Sequence, residues 1–418
     1  MTSSSAGMEQ PSTGFVWIWL PGATDPVVAG RVDQQGDTLV FRYGRSYLEN
    51  ERSISIYEPE LPLDDLEHVP RNGTVHGCLA DAGPDSWGRR AILHSRFGDS
   101  THDTSDLREL TYLMSAGSDR IGALDFQDSP SEYVARDLDT ASLSDLMTAA
   151  ESVETGTHLP PGLEDALLRG SSIGGARPKS LLDDGDRHLI AKFGSLADSF
   201  PTVQAEFVAM KLAGLANLNV SKVEITEVMG KNVLLVERFD RLPGGRRRAM
   251  VSALTVLGLG QFEGRYASYA DLAEIMRARF SEPDASLREL FSRITFNILT
   301  SNTDDHAKNQ SAFWDGEYLA LTPAYDICPH PRTGGEAKQV MAIGSDGWRF
   351  SQLAGCVARC EIYHLDSVEA QAIIDNQVDV IRAHWDEVCD EARLTRAQRA
   401  GLWKRQFLNP FAFLDSHA

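Results

Sequence analysis

The chain has 418 residues, and this length predicts about two or three domains, because one hydrophobic core rarely serves so long a chain. Its 42% apolar and 24% charged residues are ordinary for a soluble globular protein. The 60 acidic residues outnumber the 40 basic ones, and a net charge of −20 argues against a stand-alone, non-specific nucleic-acid binder. No apolar run of about 18 residues occurs, so no membrane span is predicted. The 5 cysteines, an odd and sparse set, favour a reducing cytoplasm over a disulfide framework.

The N-terminal part of the chain is predicted to contain strands followed by helices. Residues 1–14 are expected to form a flexible polar leader, because they lack the basic and apolar regions of a signal peptide. Short apolar runs separated by turn residues, typical of a strand meander, cover residues 15–20, 27–32 and 38–43. Pro84 and Asp85 suit the start of a helix, and helical segments continue to about Glu151. We predict an N-terminal subdomain over residues 15–154, followed by a linker rich in Gly, Thr and Pro.

The middle of the chain is predicted to form a strand layer with one helix. A small-residue loop, Gly170–Lys179, precedes a hairpin whose second strand contains Lys192. Apolar residues at helical spacing predict a helix over Thr202–Leu215. Two more strands are predicted, Val223–Val228 and Val233–Phe239. We therefore predict one domain over residues 155–243 and a mostly helical domain over residues 244–418.

One run in the helical part carries a specific chemical signal. The capping box Ser286–Glu289 predicts the start of a helix that leads into this run. Asp304 stands five residues before Asn309, and Asp326 lies beyond a strand pair predicted around the tight turn at Asp315. Protein kinases use this order: a loop Asp that accepts the proton of the substrate hydroxyl, an Asn that holds Mg²⁺, and a later Asp that also holds Mg²⁺.

Residue types in this run suit phosphoryl transfer, which mainly needs positioning and neutralisation of charge. Asp304 is the candidate general base; Asp305 is a rival, but only Asp304 has the required spacing to Asn309. Asn309 and Asp326 would hold Mg²⁺ through oxygen, the ligand type that this ion prefers. Lys308 would contact the transferred phosphate, and His306 would brace the loop.

Upstream residues would contact the phosphates of a nucleotide. Lys192 suits a contact with the α- and β-phosphates, and Glu206 on the next helix would pair with it. The loop at Gly174 and Gly175 would present backbone N–H groups to phosphates, although an ordinary turn is the default for such a loop by itself. The order of these elements predicts an α+β, two-lobed, protein-kinase-like fold. Its N-terminal region would be mixed α/β with a β-rich subdomain, and its C-terminal lobe mostly helical.

Taken together, these motifs resemble the HipA family, the kinase toxins of bacterial HipBA-type toxin–antitoxin modules. The resemblance runs over almost the whole chain. In the N-terminal part it rests on the signature Pro84-Asp-Ser-Trp-Gly-Arg-Arg90. The segments that resemble kinase-core signatures of the family are Ser172–Lys179, Val236–Arg241, Asp304–Asn309 and Leu321–Asp326.

This resemblance implies a serine/threonine protein kinase that depends on ATP and Mg²⁺, with Asp304 as the catalytic residue and Asn309 and Asp326 as metal ligands. The residues implied to contact ATP are Lys192, Lys179, Gly174, Gly175, Ala176, His306, Lys308, Glu237 and Phe239. Glu237 and Phe239 lie where the hinge of the family meets adenine. The loop serine that is autophosphorylated in the family falls at Ser172, but the adjacent Ser171 is also a candidate acceptor.

The resemblance also implies partners. Family toxins phosphorylate aminoacyl-tRNA synthetases and induce dormancy, and a helix-turn-helix antitoxin (HipB-like), expected here as a separate protein, neutralises them on operator DNA. No membrane partner is expected. Two other classes stay open: a catalytically weak co-repressor module, and a small-molecule kinase with the same Asp-x-x-x-x-Asn loop and later Asp. A co-repressor module without catalysis would be free to lose the site residues, but this chain retains Asp304, Asn309, Asp326 and Lys192. A small-molecule kinase is disfavoured by the N-terminal domain and by the paired serines.

Overall fold

The computed structural model describes residues 10–98, 102–136, 141–185, 187–195, 198, 200–332 and 335–415. Residues 1–9 of the predicted leader lie outside the described residues. The chain folds into two compact units: the first runs to Ala176 and also includes Gly244–Arg247, and the second comprises Arg177–Pro243 and the chain from Arg248 onward. The division after Ala176 falls within the small-residue loop Gly170–Lys179, whereas the sequence predicted a boundary before residue 155.

The strands are β1 (Thr13–Ile18), β2 (Val27–Gln35), β3 (Thr38–Tyr43), β4 (Leu124–Gln127), β5 (Lys179–Asp184), β6 (Arg187–Phe193), β7 (Val223–Val228), β8 (Lys231–Glu237), β9 (Arg241–Leu242), β10 (Arg246–Arg247), β11 (Met250–Ser252), β12 (Ser311–Trp314) and β13 (Leu319–Leu321). The helices are α1 (Arg45–Leu48), α2 (Gly77–Ala80), α3 (Ser86–Phe97), α4 (Glu109–Ser115), α5 (Leu143–Thr155), α6 (Glu164–Leu168), α7 (Thr202–Leu215), α8 (Ala253–Val256), α9 (Tyr269–Arg279), α10 (Pro283–Leu299), α11 (Leu353–Val357), α12 (Ser367–Glu391) and α13 (Arg396–Leu402). None of the described helices combines the length and the hydropathy that a membrane span requires.

The first unit contains a four-stranded antiparallel sheet in the order β3-β2-β1-β4. Strands β1, β2 and β3 coincide with the three apolar runs of the sequence, so the predicted meander is confirmed. Helix α3 begins where the sequence predicted, because the Asp85 carboxylate accepts a hydrogen bond from the Ser86 N–H at 2.9 Å. This helix ends at Gly98, whose φ of 76° lies in the left-handed region that glycine adopts without strain.

The second unit begins with an antiparallel sheet in the order β5-β6-β8-β7. Strands β7 and β8 are joined by Met229 and Gly230, which both have left-handed backbone conformations, as a tight hairpin turn requires. Helix α7 has the predicted bounds and packs on β7 and β8. Lys179 on β5 lies directly opposite Lys192 on β6, so the sheet register brings two cationic residues together.

The remainder of the second unit is built on packed helices, with α10 contacting both α9 and α12. The predicted start of α10 is wrong: the helix begins at Pro283, and Ser286 lies buried inside it. Proline fixes φ at a helical value and has no N–H to satisfy, so it starts a helix at little cost. Glu289, the predicted partner in the capping box, instead accepts a hydrogen bond from Arg293 at 2.8 Å.

The hairpin predicted after the Asp304 loop is confirmed. Strands β11, β12 and β13 form an antiparallel sheet, and residues 315–318 connect β12 to β13. Asp315 Oδ1 stabilises this turn because it accepts hydrogen bonds from the N–H groups of Glu317 and Tyr318, at 2.8 and 2.7 Å. The hairpin returns the chain towards the loop, as shown by the Tyr325 hydroxyl, which donates to the Lys308 carbonyl at 2.7 Å.

Candidate active site

The predicted catalytic loop leaves α10 in a defined conformation. Asn302 is bound to Asn297 twice, through its backbone N–H at 2.9 Å and its side chain at 3.0 Å. Further along, the His306 N–H donates to the Asp304 carbonyl at 2.8 Å, and the Asn309 N–H donates to the His306 carbonyl at 2.8 Å. The Asn309 side-chain amide lies 3.5 Å from the same Asp304 carbonyl. Asp304 and Asn309 therefore share one compact turn.

The two adjacent aspartates of the loop differ in their surroundings. The Asp304 side chain is 56% exposed. Asp305 is buried, and the donors to its carboxylate are the Tyr269 hydroxyl, Asn297 Nδ2 at 2.8 Å and Gln310 Nε2 at 2.9 Å. Burial raises the pKa of Asp305 above its ordinary value, although the Tyr269 and Gln310 donors oppose this shift. Asp305 therefore holds the loop in place, while Asp304 is accessible to a substrate.

Tyr269→Phe is expected to lower the free energy of unfolding by about 1–3 kcal/mol, since it removes one donor from the buried Asp305 carboxylate. Urea unfolding followed by circular dichroism measures this change. Tyr266→Phe removes the hydroxyl of an exposed tyrosine and is the matched control, with an expected change below about 0.5 kcal/mol. Equal stabilities of the two variants would show that the Tyr269 hydrogen bond does not hold the loop.

Lys192 is the centre of a group of charged residues. Its Nζ donates to Glu206 Oε1 at 2.5 Å and to Asp326 Oδ1. Glu206 is buried on α7, whereas the Asp326 side chain is 40% exposed. The residues that the sequence suggested as a pair, Lys192 and Glu206, are thus in contact, and Asp326 reaches the same amine.

The pKa shifts in this group have opposing causes. Burial by itself would lower the pKa of Lys192, but the carboxylates of Asp326 and Glu206 raise it well above its ordinary value. Burial would raise the pKa of Asp326, but Lys192, Lys179 and, to a smaller extent, His306 hold it below its usual range. Burial raises the pKa of Glu206 despite the contact with Lys192. At neutral pH Lys192 is therefore a cation and Asp326 an anion.

The residues around Asp326 are of the types from which sites for a metal ion and phosphates are built. Asp326 has a φ of 59°, a left-handed conformation that is strained for a residue other than glycine and that is concentrated at functional sites. Asn309 Nδ2 lies 3.5 Å from the Asp304 carbonyl oxygen, and an asparagine side-chain oxygen is a ligand type that Mg²⁺ accepts. Mg²⁺ is commonly held by one or two carboxylates and by the phosphates of the nucleotide. Lys192 and Lys179 are the cations of this group that act most strongly on Asp326.

Of the two predicted hinge residues, Phe239 lies beside the segment that carries Asp326. Glu237 is the last residue of β8. The ring of Phe239, half-buried, packs edge-on against Phe313 with ring centres 5.8 Å apart and lies 5.7 Å from the ring of Tyr325. Phe239 is thereby part of an aromatic cluster that includes the residue preceding Asp326.

The small-residue loop is bonded within the first unit. The Gly175 N–H donates to Asp85 Oδ2 at 3.3 Å. Ser171 and Ser172 are buried, and their hydroxyls donate to backbone carbonyls of the same unit at 2.7 and 3.0 Å. A Cβ atom at Gly88 would lie 2.0 Å from the Ser171 carbonyl oxygen, so only glycine allows this close approach. In this conformation the loop uses an N–H group and both serine hydroxyls for its own docking.

Several residues of the site could not be found by spacing alone. Tyr269 is distant in the sequence from Asp305. The only signal was general: the hydroxyl of a buried tyrosine usually needs a hydrogen-bond partner. His330 Nε2 lies 3.9 Å from Asp304 Oδ2, and no motif in the sequence identified it. Both residues approach the loop from other elements, so their contribution depends on the tertiary fold.

Comparison with known proteins identifies relatives of both units. Residues 171–385 match the HipA-like C-terminal domain, and residues 22–127 match the HipA N-terminal domain. The chain is 25% identical over 323 residues to the serine/threonine-protein kinase toxin HipA of Shewanella oneidensis, an alignment that covers 71% of each protein. It is 28% identical over 232 residues to the putative kinase Y4mE of Sinorhizobium fredii, covering 47% of this chain and 54% of that protein.

A solved structure shares the fold. HipA of Shewanella oneidensis, determined in a complex with HipB and its operator DNA, superposes with a TM-score of 0.67 at 21% identity. The superposition covers 96% of this chain and 100% of that one. The predicted α+β, kinase-like fold is therefore confirmed.

The relation to a serine/threonine-protein kinase toxin over 71% of each protein identifies an enzyme of the kinase class. The match to the HipA-like C-terminal domain spans more than half of the residues, and the N-terminal domain matches as well. The chain belongs to the HipA family, as the sequence motifs predicted.

Proposed function

We propose that this protein is an ATP-dependent serine/threonine protein kinase that acts as the toxin of a type II toxin–antitoxin module. The observation that carries the proposal is the exposed carboxylate of Asp304 on a loop fixed by buried Asp305, together with the Lys192–Asp326 ion pair. Such an arrangement positions a base and neutralises charge, which is most of what phosphoryl transfer requires.

Each residue has a defined task in this proposal. Asp304 accepts the proton of a serine or threonine hydroxyl, and Asn309 and Asp326 hold Mg²⁺. Lys192 contacts the phosphates, and Glu206 keeps the Lys192 side chain in place. ATP with Mg²⁺ supplies the phosphoryl group and the metal charge that stabilises its transfer. The remaining ATP contacts within the second unit are Lys179, His306, Lys308, Glu237 and Phe239.

The proposed partners follow from the relatives. The Shewanella oneidensis HipA was solved with HipB and operator DNA. We infer that this chain is neutralised by a separate HipB-like helix-turn-helix antitoxin and contacts operator DNA through it, which agrees with a net charge of −20 that disfavours independent DNA binding. The substrate would be a translation-related protein in the cytoplasm, such as an aminoacyl-tRNA synthetase, and its phosphorylation would arrest growth.

Expression without an antitoxin tests the toxin part of the proposal. Wild-type protein is expected to arrest growth of a bacterial host, and Asp304→Asn at the same expression level is expected to allow growth. Arrest by both proteins would instead favour a non-catalytic, co-repressor type of action.

A separate reaction with labelled ATP distinguishes a small-molecule kinase. Labelled phosphate recovered only on a small-molecule acceptor would favour that class.

Autophosphorylation on Ser172 or Ser171 is a further part of the proposal. Both hydroxyls are buried and donate to carbonyls, so either serine must leave its docked position before it can accept a phosphate. A phosphate adds about −1.5 to −2 charge and would compete with ATP for the same loop. Mass spectrometry of protein incubated with ATP and Mg²⁺ is expected to find one phosphate on this pair, absent from the Ser171→Ala/Ser172→Ala variant. Phosphate that persists in that variant would place autophosphorylation elsewhere.

A further inference from the structure

An exposed aromatic segment lies in the second unit, at residues 258–267, which we call the aromatic segment. Phe262 is 92% exposed, more than any other large hydrophobic side chain among the described residues, and Tyr266 is 64% exposed. The Arg265 guanidinium lies 5.1 Å from the centre of the Tyr266 ring. Single exposed hydrophobic residues are common, but two aromatic rings and a guanidinium within five positions form a surface suited to a polypeptide.

The aromatic segment has a defined conformation that presents these side chains to solvent. The Gly260 N–H donates to Glu263 Oε2 at 2.8 Å, and the Glu263 N–H donates to the Gly260 carbonyl at 2.9 Å. The Tyr266 N–H then donates to the Glu263 carbonyl at 2.8 Å, within a short 3₁₀ turn at Gly264–Tyr266. Because the turn is closed by its own hydrogen bonds, Phe262 and Tyr266 are not needed to stabilise it.

The beginning of the aromatic segment is joined to the catalytic loop just after Asp304. The Leu254 N–H donates to the Ala307 carbonyl at 3.2 Å, and the Leu259 N–H donates to the Leu254 carbonyl at 3.0 Å. Leu254 also packs under the turn, where a Cβ at Gly264 would lie 3.7 Å from Leu254 Cδ1. One residue, Leu254, therefore contacts both the catalytic loop and the aromatic segment.

The end of the segment is joined to the catalytic loop just before Asp304. The Ala342 N–H donates to the Ala267 carbonyl at 3.4 Å, and two residues earlier the Val340 N–H donates to the Thr303 carbonyl at 3.2 Å. Leu254 thus connects the beginning of the aromatic segment to Ala307, and the stretch 340–342 connects its end to Thr303. The aromatic segment is therefore anchored, by backbone hydrogen bonds at both ends, to the elements that hold the loop of Asp304.

We propose that Phe262, Arg265 and Tyr266 form the docking surface for the protein substrate, a proposal that rests on the protein kinase activity proposed above. The occupant is the substrate segment that carries the acceptor hydroxyl, with an apolar side chain packed on the two rings. Two features favour this occupant: the aromatic segment is hydrogen-bonded to the elements that hold the loop of the candidate base, and the Phe262 ring is 92% exposed. A docking surface of this kind selects a protein and leaves nucleotide binding unaffected.

The variant Phe262→Ser/Tyr266→Ser tests the proposal. The probe is a dialysed bacterial lysate with γ-labelled ATP and Mg²⁺, and Asp304→Asn gives the blank. The initial rate of protein labelling is expected to fall by about tenfold or more, as is typical when aromatic contacts at the centre of an interface are removed. ATP affinity and the rate of ATP hydrolysis without a protein acceptor are expected to stay within about twofold of wild type. Val368→Ser, which removes a side chain that is 75% exposed on α12, is the matched control and is expected to label at the wild-type rate.

Three results would overturn the docking surface while the proposed kinase function stands. Unchanged labelling by the double variant would show that the rings do not contact the substrate. Parallel losses of labelling and of ATP affinity would show that the segment acts on the catalytic loop itself. A wild-type dimer in sedimentation that the double variant loses would show that the surface binds a second copy. If the wild type labels nothing above the Asp304→Asn blank, the proposed kinase function fails first, and the docking surface fails with it.

Discussion

Replacement of Asp304 by Asn is expected to lower the rate of phosphoryl transfer by about 10²–10⁴-fold, because it removes the base that accepts the hydroxyl proton. The substitution is nearly isosteric, and the Asp304 side chain is 56% exposed, so the fold should persist. The backbone carbonyl of Asp304, which receives the bonds from His306 and Asn309, is also unchanged. Initial rates with labelled ATP and a protein acceptor measure the effect.

Two control variants separate loss of the base from loss of charge or of loop position. Asp379→Asn removes an exposed carboxylate on α12 and is expected to leave the rate unchanged. Asp305→Asn changes a carboxylate that holds the loop, so its main expected effect is a loss of stability of about 1–3 kcal/mol. A larger loss of activity per folded molecule in Asp305→Asn than in Asp304→Asn would contradict the assignment of the base.

Lys192→Met is expected to affect both activity and stability. Loss of the cation near the phosphates should lower the rate by about 10²–10³-fold. It also leaves buried Glu206 without its partner, and removing one member of a buried ion pair costs about 3–5 kcal/mol. The measurements are the transfer rate at saturating ATP and urea unfolding at several pH values.

The pH dependence of this variant has a definite sign. Without Lys192, burial raises the pKa of Glu206 in the folded state further. In the unfolded state Glu206 has the ordinary glutamate pKa of about 4.3. Between these two pKa values the folded state therefore holds a proton on Glu206 that the unfolded state has lost. The stability of Lys192→Met relative to wild type is therefore expected to fall as the pH rises through the folded pKa of Glu206. It should be closest to wild type in acid, where Glu206 is protonated.

The double variant Lys192→Met/Glu206→Gln is the matched control for this effect. It replaces the buried carboxylate by a neutral amide, so most of the stability should return and the part of the pH dependence that comes from Glu206 should disappear. Activity should stay low, because Lys192 is still absent. If the single variant were as stable as wild type at pH 8, the ion pair would not stabilise the second unit.

Local sequence signals predicted the elements that carry the site. The apolar spacing predicted α7 with its observed bounds, and Asp315 predicted the hairpin that leads to Asp326, because both features depend on neighbouring residues. The start of α10 was predicted at Ser286 and is wrong, since Pro283 competes with the capping box and starts the helix three residues earlier. Local patterns do not show which of two adjacent signals dominates.

The contacts that distinguish the residues of the site depend on the tertiary fold. Spacing selected Asp304 over Asp305, but the physical reason, that Tyr269, Asn297 and Gln310 surround Asp305, joins residues from separate elements. Lys192 and Asp326 are also in contact although they are far apart in the sequence. The docking of the serine loop on Gly88 was not predicted, because a glycine that allows a close approach looks like any other glycine in the sequence.

Phosphosite mapping of reactions that contain ATP, Mg²⁺, a bacterial lysate and either wild-type protein or Asp304→Asn tests the proposed kinase activity most directly. With wild type, phosphoserine or phosphothreonine is expected on the protein itself and on one or a few lysate proteins, and with Asp304→Asn none is expected above background. Equal phosphorylation by the two proteins would contradict Asp304 as the base. Transfer to a small molecule alone would contradict a protein kinase.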